Sequence, residues 1–205
     1  MQITGYGATI QSINYSPGSS NTASLGRQGE LLTAPVHGAW YNAARAGNLF
    51  HGSTAAAGTT IPVSSATAAT FTLYNPAGSG VNVELLEYLL GTTTSTIVVS
   101  TILLGLSPVP CTAPSSVTAI TATLAKGMGG LGTPAAQLYS AATIVATTNF
   151  YPMMSMSATS GLYNQVPYRF EGGMIIPQGA FVHVCGFAAQ TAATNQRFTW
   201  AEWPA

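Results

Sequence analysis

The segment "LYNPAGSGVNVELLEYLL", residues 73–90, predicts two strands joined by a turn. Its centre, "NPAGSG", is rich in the Asn, Pro, Gly and Ser residues that form tight turns. Apolar and polar side chains alternate in "VNVEL", as expected for a strand with one buried and one open face. The leucine spacing of "VELLEYLL" also suits a helical turn, but the turn signals on both sides favour a strand.

Short β-rich runs of the same kind recur along the chain after residue 60. Clusters of Gly, Pro, Asn or Ser separate most of them, which is typical of a sandwich or barrel and not of βαβ units. We therefore predict an all-β protein with an antiparallel β-sandwich domain, or as the alternative a barrel, over residues 61–205. The predicted strands cover residues 61–64, 69–75, 81–90, 96–105, 117–124, 142–149, 166–170, 173–177, 180–188 and 196–203.

The last predicted strand, "QRFTWAEWPA", ends the chain. Its alternation places Phe198 and Trp200 on one face, with Glu202 as a candidate third member. We expect Trp200 in the core, and Trp203, beside Pro204, at an edge or interface. The opposite face carries Arg197, Thr199, Ala201 and Trp203.

Residues 1–60 differ in composition from the remainder, with abundant Gly, Ser, Asn and Ala. We predict an irregular N-terminal arm or peripheral layer, with at most a short helix near residues 38–48. The arm has too little apolar material for a core of its own, so we hypothesise that it packs on a neighbouring subunit or on a partner. The alternative, in which it folds back on its own sandwich, stays open. It contains the large apolar side chains Trp40, Tyr41, Leu49 and Phe50.

Charged residues make up only 5% of the 205-residue chain, against roughly 25% in ordinary soluble proteins. The formal net charge is zero, so no basic surface is predicted for nucleic acid or for anionic lipid. The longest apolar run, residues 97–106, spans about ten residues, whereas a membrane-spanning helix needs about 20. The N-terminus lacks the pattern of a secretory signal, so secretion is not expected. A neutral protein with so few charges tends to associate, so we expect copies of itself or a partner to cover much of its surface.

The residues that carry chemistry are few. Asp is absent, so no Ser-His-Asp triad can form around the three histidines. Glu84 and Glu87 are three residues apart and would point to opposite faces of a regular strand, which argues against a carboxylate pair. His183 and Cys185 would share a face, but no orienting group or further ligand joins them. We predict no enzyme activity, no cofactor and no metal. We also expect Cys111 and Cys185 to be small buried thiols, with a disulfide left open.

The segment "NFYPMMSMS", residues 149–157, holds three of the six methionines. Methionine is common at adaptable binding surfaces and also as a filler of cores, so both interpretations stay open here. The candidate interface residues from the whole chain are therefore Trp40, Tyr41, Leu49, Phe50, Met153, Met154, Met156 and Trp203.

Several motifs together resemble tailed-bacteriophage structural proteins. They are "RQGELLTAPVHGAWYNAARAGNLFHGSTAAAGTTIP", "ATFTLYNPAGSGVNVELLEYLLG" and "GGMIIPQGAFVHV", which cover about half of the chain. The resemblance is to capsid decoration (cement) proteins with a β-sandwich fold, and "GGMIIPQGAFVHV" resembles a strand-turn-strand of viral sandwiches, which implies a jelly-roll-like antiparallel β-sandwich. It implies a homotrimer made in the host cytoplasm that sits on the outer capsid surface of the virion and binds the major capsid protein. In such an assembly, linked copies turn modest contacts into firm attachment.

Other functions remain as alternatives. A receptor-binding module, such as a head fibre or tailspike tip that recognises a host surface glycan, would share the sandwich and the trimer. A secreted hydrolase is disfavoured by the missing Asp and the missing signal pattern. "TAITATL" hints at the flat Thr face of an ice or polysaccharide binder, but the pattern does not repeat.

Overall fold

The structure is a computed structural model that describes residues 40, 43–44, 46–68, 70–92, 97–120, 133–156 and 166–205. Trp40–Ala205 form one compact unit. In that unit the regular structure of the described chain is almost entirely strand, and the strands pair antiparallel in two six-stranded sheets. The two sheets pack face to face around one apolar core. The predicted all-β sandwich is confirmed, whereas its jelly-roll-like connectivity stays a prediction.

Sheet I is built around the long C-terminal strand. Strand β12 pairs on one side with β1 and β2 and on the other with β4, and β4 pairs in turn with β9 and β10. The strands of sheet I are β1 (Leu49–Ser53), β2 (Thr59–Ile61), β4 (Val81–Thr92), β9 (Val166–Arg169), β10 (Ile175–Ile176) and β12 (Gln190–Pro204).

Sheet II runs in the order β6-β7-β3-β11-β5-β8. Consecutive strands β3 and β4 lie in different sheets, as do β11 and β12, so the chain crosses between the layers at both places. The strands of sheet II are β3 (Phe71–Asn75), β5 (Ser100–Leu106), β6 (Ser115–Ala119), β7 (Gln137–Thr143), β8 (Asn149–Met156) and β11 (Ala180–Gly186).

Aromatic side chains join the two sheets across the core. Phe71 of sheet II stacks on Phe198 of sheet I with ring centroids 5.0 Å apart. Phe198 also touches Tyr88, and Trp200 is fully buried among the same residues. The predicted alternation in β12 is therefore confirmed, because Phe198 and Trp200 face the core while Trp203 reaches the surface.

The sandwich begins earlier than residue 61, so the predicted domain boundary is wrong at this point. Strand β1 pairs residue by residue with β12, from Leu49 opposite Ala201 to Ser53 opposite Arg197. Phe50 lies in the core and stacks on Trp200 at 6.0 Å. Burying such a side chain contributes about 1.5–3 kcal/mol, enough to hold β1 to its own sheet. The remainder of the predicted arm, residues 1–39, lies outside the described residues.

One further strand prediction and the helix prediction need correction. Residues 142–149 do not form one strand: β7 ends at Thr143 and β8 begins at Asn149. Pro152 lies within β8, where a proline is tolerated because β8 is the edge of sheet II. The predicted helix near residues 38–48 is limited, within the part that the structure describes, to Ala43 and Ala44.

A β-bulge in β4 overturns the expected orientation of two glutamates. Glu87 lies opposite Thr199, whereas Leu85 lies opposite Trp200, so Leu86 is an extra residue in β4. The extra residue shifts the alternation by one. Glu84 and Glu87, three residues apart, therefore share the outer face of sheet I, and the prediction of opposite faces is wrong.

Candidate interaction surface

The outer face of sheet I collects most of the charge of the described chain. Glu84 and Glu87 on β4, Arg169 on β9 and Arg197 on β12 all lie on it. Register places His51 of β1 on the same face, opposite Thr199. Only Glu171 and Glu202 complete the charged side chains in the described ranges.

Trp203 occupies one end of this face and is held in place there. Its indole N–H donates to the Glu84 carboxylate at 2.8 Å. Glu84 lies opposite Ile175 of β10, whose side chain is 61% exposed, and Trp203 itself is 37% exposed. We call these three residues the Trp203 patch. A tryptophan that is already oriented loses little conformational freedom on binding, which favours a contact role.

The candidate interface residues from the sequence divide between the outer face of sheet I and the core between the sheets. Trp40 and Leu49 pack on a small outer cluster with Ala43, Leu86 and Ala201, next to the Trp203 patch. Their association with Trp203 on one face is consistent with the prediction but does not test it. Tyr41 lies outside the described residues.

The other four candidates turn towards the protein's own core. Phe50 is buried there, and Met153 is a buried member of the same cluster. Met154 and Met156 are half-buried and pack against it. For the methionines the filler interpretation therefore fits better than the interface interpretation, because they cover the edge of the core under β8.

At the other end of the outer face, two arginines meet one glutamate. The Arg197 Nη2 atom lies 3.1 Å from Glu87 Oε1, and the Arg169 Nε atom lies 3.7 Å from Glu87 Oε2. Glu87 is nearly buried, and such a carboxylate is costly unless it is paired. The pKa of His51 is lowered by burial and by the neighbouring positive charge of Arg197.

Strands β3, β7 and β11 of sheet II are covered on their outer face by the chain itself. Tyr74, Tyr139 and Phe181 pack there with Ile144, which lies in the connection between β7 and β8. His183 is fully buried on this side and bonds Thr147 Oγ1 through Nε2 at 2.9 Å. Burial lowers the pKa of His183 to about 4, so the ring is neutral at physiological pH.

Neither cysteine has the environment of a reactive thiol. Cys185 is buried, and burial raises the pKa of its thiol to about 12, which leaves very little nucleophilic thiolate. Cys111 is also free but is partly exposed, with its Sγ 3.0 Å from the Gly179 carbonyl oxygen, so the prediction of a buried thiol is wrong at this residue. Both cysteines are therefore unpaired, and the disulfide left open by the sequence does not form.

Glu202 lies at the wall of a cavity of about 330 Å³ that Phe50, Val81 and Pro204 also line. Its carboxylate accepts hydrogen bonds from the backbone N–H groups of Ala135 and Ala136 and from the Trp200 indole. The Glu202 carboxylate therefore connects β12 to the residues just before β7 and stabilises that part of the chain.

Three edge strands, β6, β8 and β9, are unsuited to strand addition by another molecule. Pro152 interrupts the donor pattern of β8, and Pro167 does the same in β9. Strand β6 pairs with β7 through two register shifts, and Ser116 has a φ of 48°. Irregular edges of this kind discourage edge-to-edge pairing.

An exposed aromatic pair bridges the sheets at one edge. The hydroxyl groups of Tyr151 on β8 and Tyr168 on β9 lie 3.0 Å apart, and Phe170 packs beneath both rings. The hydrogen bond with Tyr151, and then burial, raise the pKa of Tyr168.

Within the described ranges, no group of three or more His, Cys, Asp or Glu side chains could hold a metal ion. Likewise, no helix in that part is long and apolar enough to cross a membrane. Comparisons with protein-family models, with curated proteins and with solved structures find no match.

Proposed function

We propose that the protein is a virion structural protein: a trimeric cement protein that binds the outer capsid surface and clamps neighbouring major capsid subunits. The observation that carries the proposal is the Trp203 patch. It presents an oriented indole and an exposed isoleucine on the face of a sheet, in a chain with very few charges. Fixed aromatic side chains with apolar neighbours are typical centres of protein interfaces.

The irregular edge strands β6, β8 and β9 favour association through the faces of the sheets and not through these edges. Proline in β8 and β9 and the bulged pairing of β6 make strand addition unfavourable at those three edges. A contact that uses the outer face of sheet I needs no rearrangement of the sandwich. It also leaves few charges to be buried without partners, because Glu84 is already bonded to Trp203.

The test compares two exposed apolar positions on different sheets. Trp203→Ser removes the indole, while Val117→Ser changes a side chain of similar exposure on β6. We expect Trp203→Ser to weaken binding to purified capsids at least tenfold and Val117→Ser to leave it unchanged. Analytical ultracentrifugation of the protein alone measures the trimer, and co-sedimentation measures capsid binding. Equal capsid binding by both variants and the unchanged protein would contradict the proposal.

A second function, a receptor-binding module that recognises a host surface glycan, is favoured by the Tyr151–Tyr168 pair. Exposed aromatic rings with hydroxyl groups can stack on a sugar ring and form hydrogen bonds with it at the same time. The two functions differ in their consequences for particles that lack the protein. Loss of a cement protein lowers particle stability, whereas loss of a receptor-binding module lowers adsorption to cells.

A further inference from the structure

We propose that Arg169 and Arg197 form a binding site for a carboxylate group that an acidic side chain of a partner protein presents. The site lies on the outer face of sheet I, across strands β4, β9 and β12. It deepens the proposed function, since it names the chemistry of a partner contact beyond the Trp203 patch.

The ion pairing at this site is uneven within the described chain. Two guanidinium groups share the single carboxylate of Glu87. Glu84, on the same face, is hydrogen-bonded to Trp203. His51 of β1 adds no charge at neutral pH, because burial and Arg197 both lower its pKa. The four charged side chains of this face sum to zero, but around Glu87 two guanidinium groups face a single carboxylate.

The two arginines use Glu87 unequally. Arg197 makes the shorter contact, 3.1 Å, and its own Nε atom is buried without a hydrogen-bond partner in the part of the chain described. Arg169 approaches only through Nε, at 3.7 Å, and its side chain is 67% exposed. The terminal nitrogens of Arg169 are therefore left to bind a second carboxylate in the forked geometry that guanidinium groups favour.

The shape of the site selects the kind of ligand. Enclosed clefts suit free small molecules, whereas this site lies on the face of a sheet, with Arg169 at the edge strand β9. An open face of this kind fits a side chain that projects from another protein surface. Glu87 holds Arg197 in position, since the Glu87 side chain is nearly buried.

The experiment uses the full chain and acetate as the probe for a carboxylate. The chain contains only four arginines, so their Nε–H signals are resolvable by nuclear magnetic resonance. We expect acetate, but not chloride at equal ionic strength, to shift the Arg169 and Arg197 signals saturably. Arg169→Gln should weaken acetate binding at least tenfold, and Glu87→Gln should strengthen it because a competing carboxylate is removed. Arg27→Gln, which removes the same charge outside the unit Trp40–Ala205, should leave it unchanged.

Three outcomes would overturn the inference. Equal shifts with chloride would show a general salt effect, and full acetate binding by Arg169→Gln would remove the site. A tenfold preference for N-acetylneuraminate over N-acetylglutamate would assign the site to an acidic sugar instead of a protein side chain. Capsid binding is measured separately, so a protein that binds acetate at Arg169 but not capsids would contradict the proposed function and not this site.

Discussion

The outer faces of the two sheets differ in their charge and in their exposure to solvent. Sheet II has no Asp, Glu, Lys or Arg in any of its six strands, and its outer face is covered by the protein's own chain around Phe181 and His183. Sheet I carries four charged side chains on its outer face and leaves Trp203 and Ile175 partly exposed. One face therefore stabilises the fold, and the other is available for partners.

The difference shows how a chain with 5% charged residues can still have a specific surface. In the part of the chain that the structure describes, most of the few charges lie where they can orient other groups. Glu84 fixes the indole of Trp203, and Glu87 fixes the guanidinium of Arg197. A face that is covered by the protein's own chain is stabilised by close packing, so it does not require charged side chains.

The covered face should be the more sensitive to a single added methyl group. A Cβ atom on Gly105 of β5 would lie 2.0 Å from His183 Nε2, so the buried ring would have to move. We expect Gly105→Ala to lower the free energy of unfolding by about 3 kcal/mol, measured by urea denaturation. Gly78→Ala, in open space at a φ of 77°, is the control and should cost only about 1 kcal/mol from backbone strain. An unchanged midpoint for Gly105→Ala would show that the cover over His183 is loose.

The two faces should also differ in their response to acid. The folded-state pKa of His183 is about 4, against 6.5 for an exposed histidine, so the unfolded chain binds more protons between these values. This contribution is complete above pH 6.5 and is lost as the pH falls towards 4. We expect the free energy of unfolding to be about 2 kcal/mol lower at pH 5 than at pH 7.5.

Variants separate the contributions of the two histidines. His183→Gln should remove most of this pH dependence, although the variant is less stable overall. His51→Gln should remove only a small part, because His51 is less buried although its pKa is also lowered. A pH profile that is flat in the unchanged protein would contradict the burial of His183.

On the open face, loss of the shared carboxylate should matter more than loss of either exposed cation. Glu87→Gln leaves Arg197 without its charged partner, and we expect a loss of about 1.5 kcal/mol in thermal or urea unfolding. Arg169→Gln should cost less than about 0.5 kcal/mol, since exposed ion pairs contribute little. The opposite order would mean that Arg169, and not Arg197, is the main partner of Glu87.

A small effect on stability is also expected at Trp203. Trp203→Ser removes a partly exposed ring and one hydrogen bond, so we expect a loss of no more than about 0.5–1 kcal/mol. Calorimetric unfolding of the isolated protein measures it. A loss of several kcal/mol would place Trp203 among the residues that hold the fold and would weaken its role as a contact residue.

Sequence patterns predict the strands of this protein best where alternation is regular. The turn at Asn75–Gly80 and the alternation of Phe198, Trp200 and Trp203 are both found in the structure. Strand β1 was missed because "LFHGS" has few β-branched residues and is defined by pairing with β12, a contact across the whole chain. Strand β8 was misplaced because Pro152 reads as a break unless the strand is known to be an edge.

The candidate surface was only partly predictable. Trp203 beside a C-terminal proline indicates an exposed position, and the structure places it at the surface. The grouping of Glu84, Glu87, Arg169 and Arg197 on one face depends on the bulge at Leu86, which has no clear signal in "VELLEYLL". A strict period of two separates these glutamates, and only the strand pairing shows that they share a face.

Hydroxyl-radical footprinting of the free and the assembled protein tests the central comparison most directly, since it measures the solvent access of individual side chains. In the free protein we expect strong oxidation of Trp203 and Ile175 on sheet I and weak oxidation of Phe181 and Tyr74 on sheet II. On assembly into trimers and on capsids, Trp203 and Ile175 should become protected, while Phe181 and Tyr74 should not change. Equal oxidation of Trp203 before and after assembly, or strong oxidation of Phe181 in the free protein, would contradict the account.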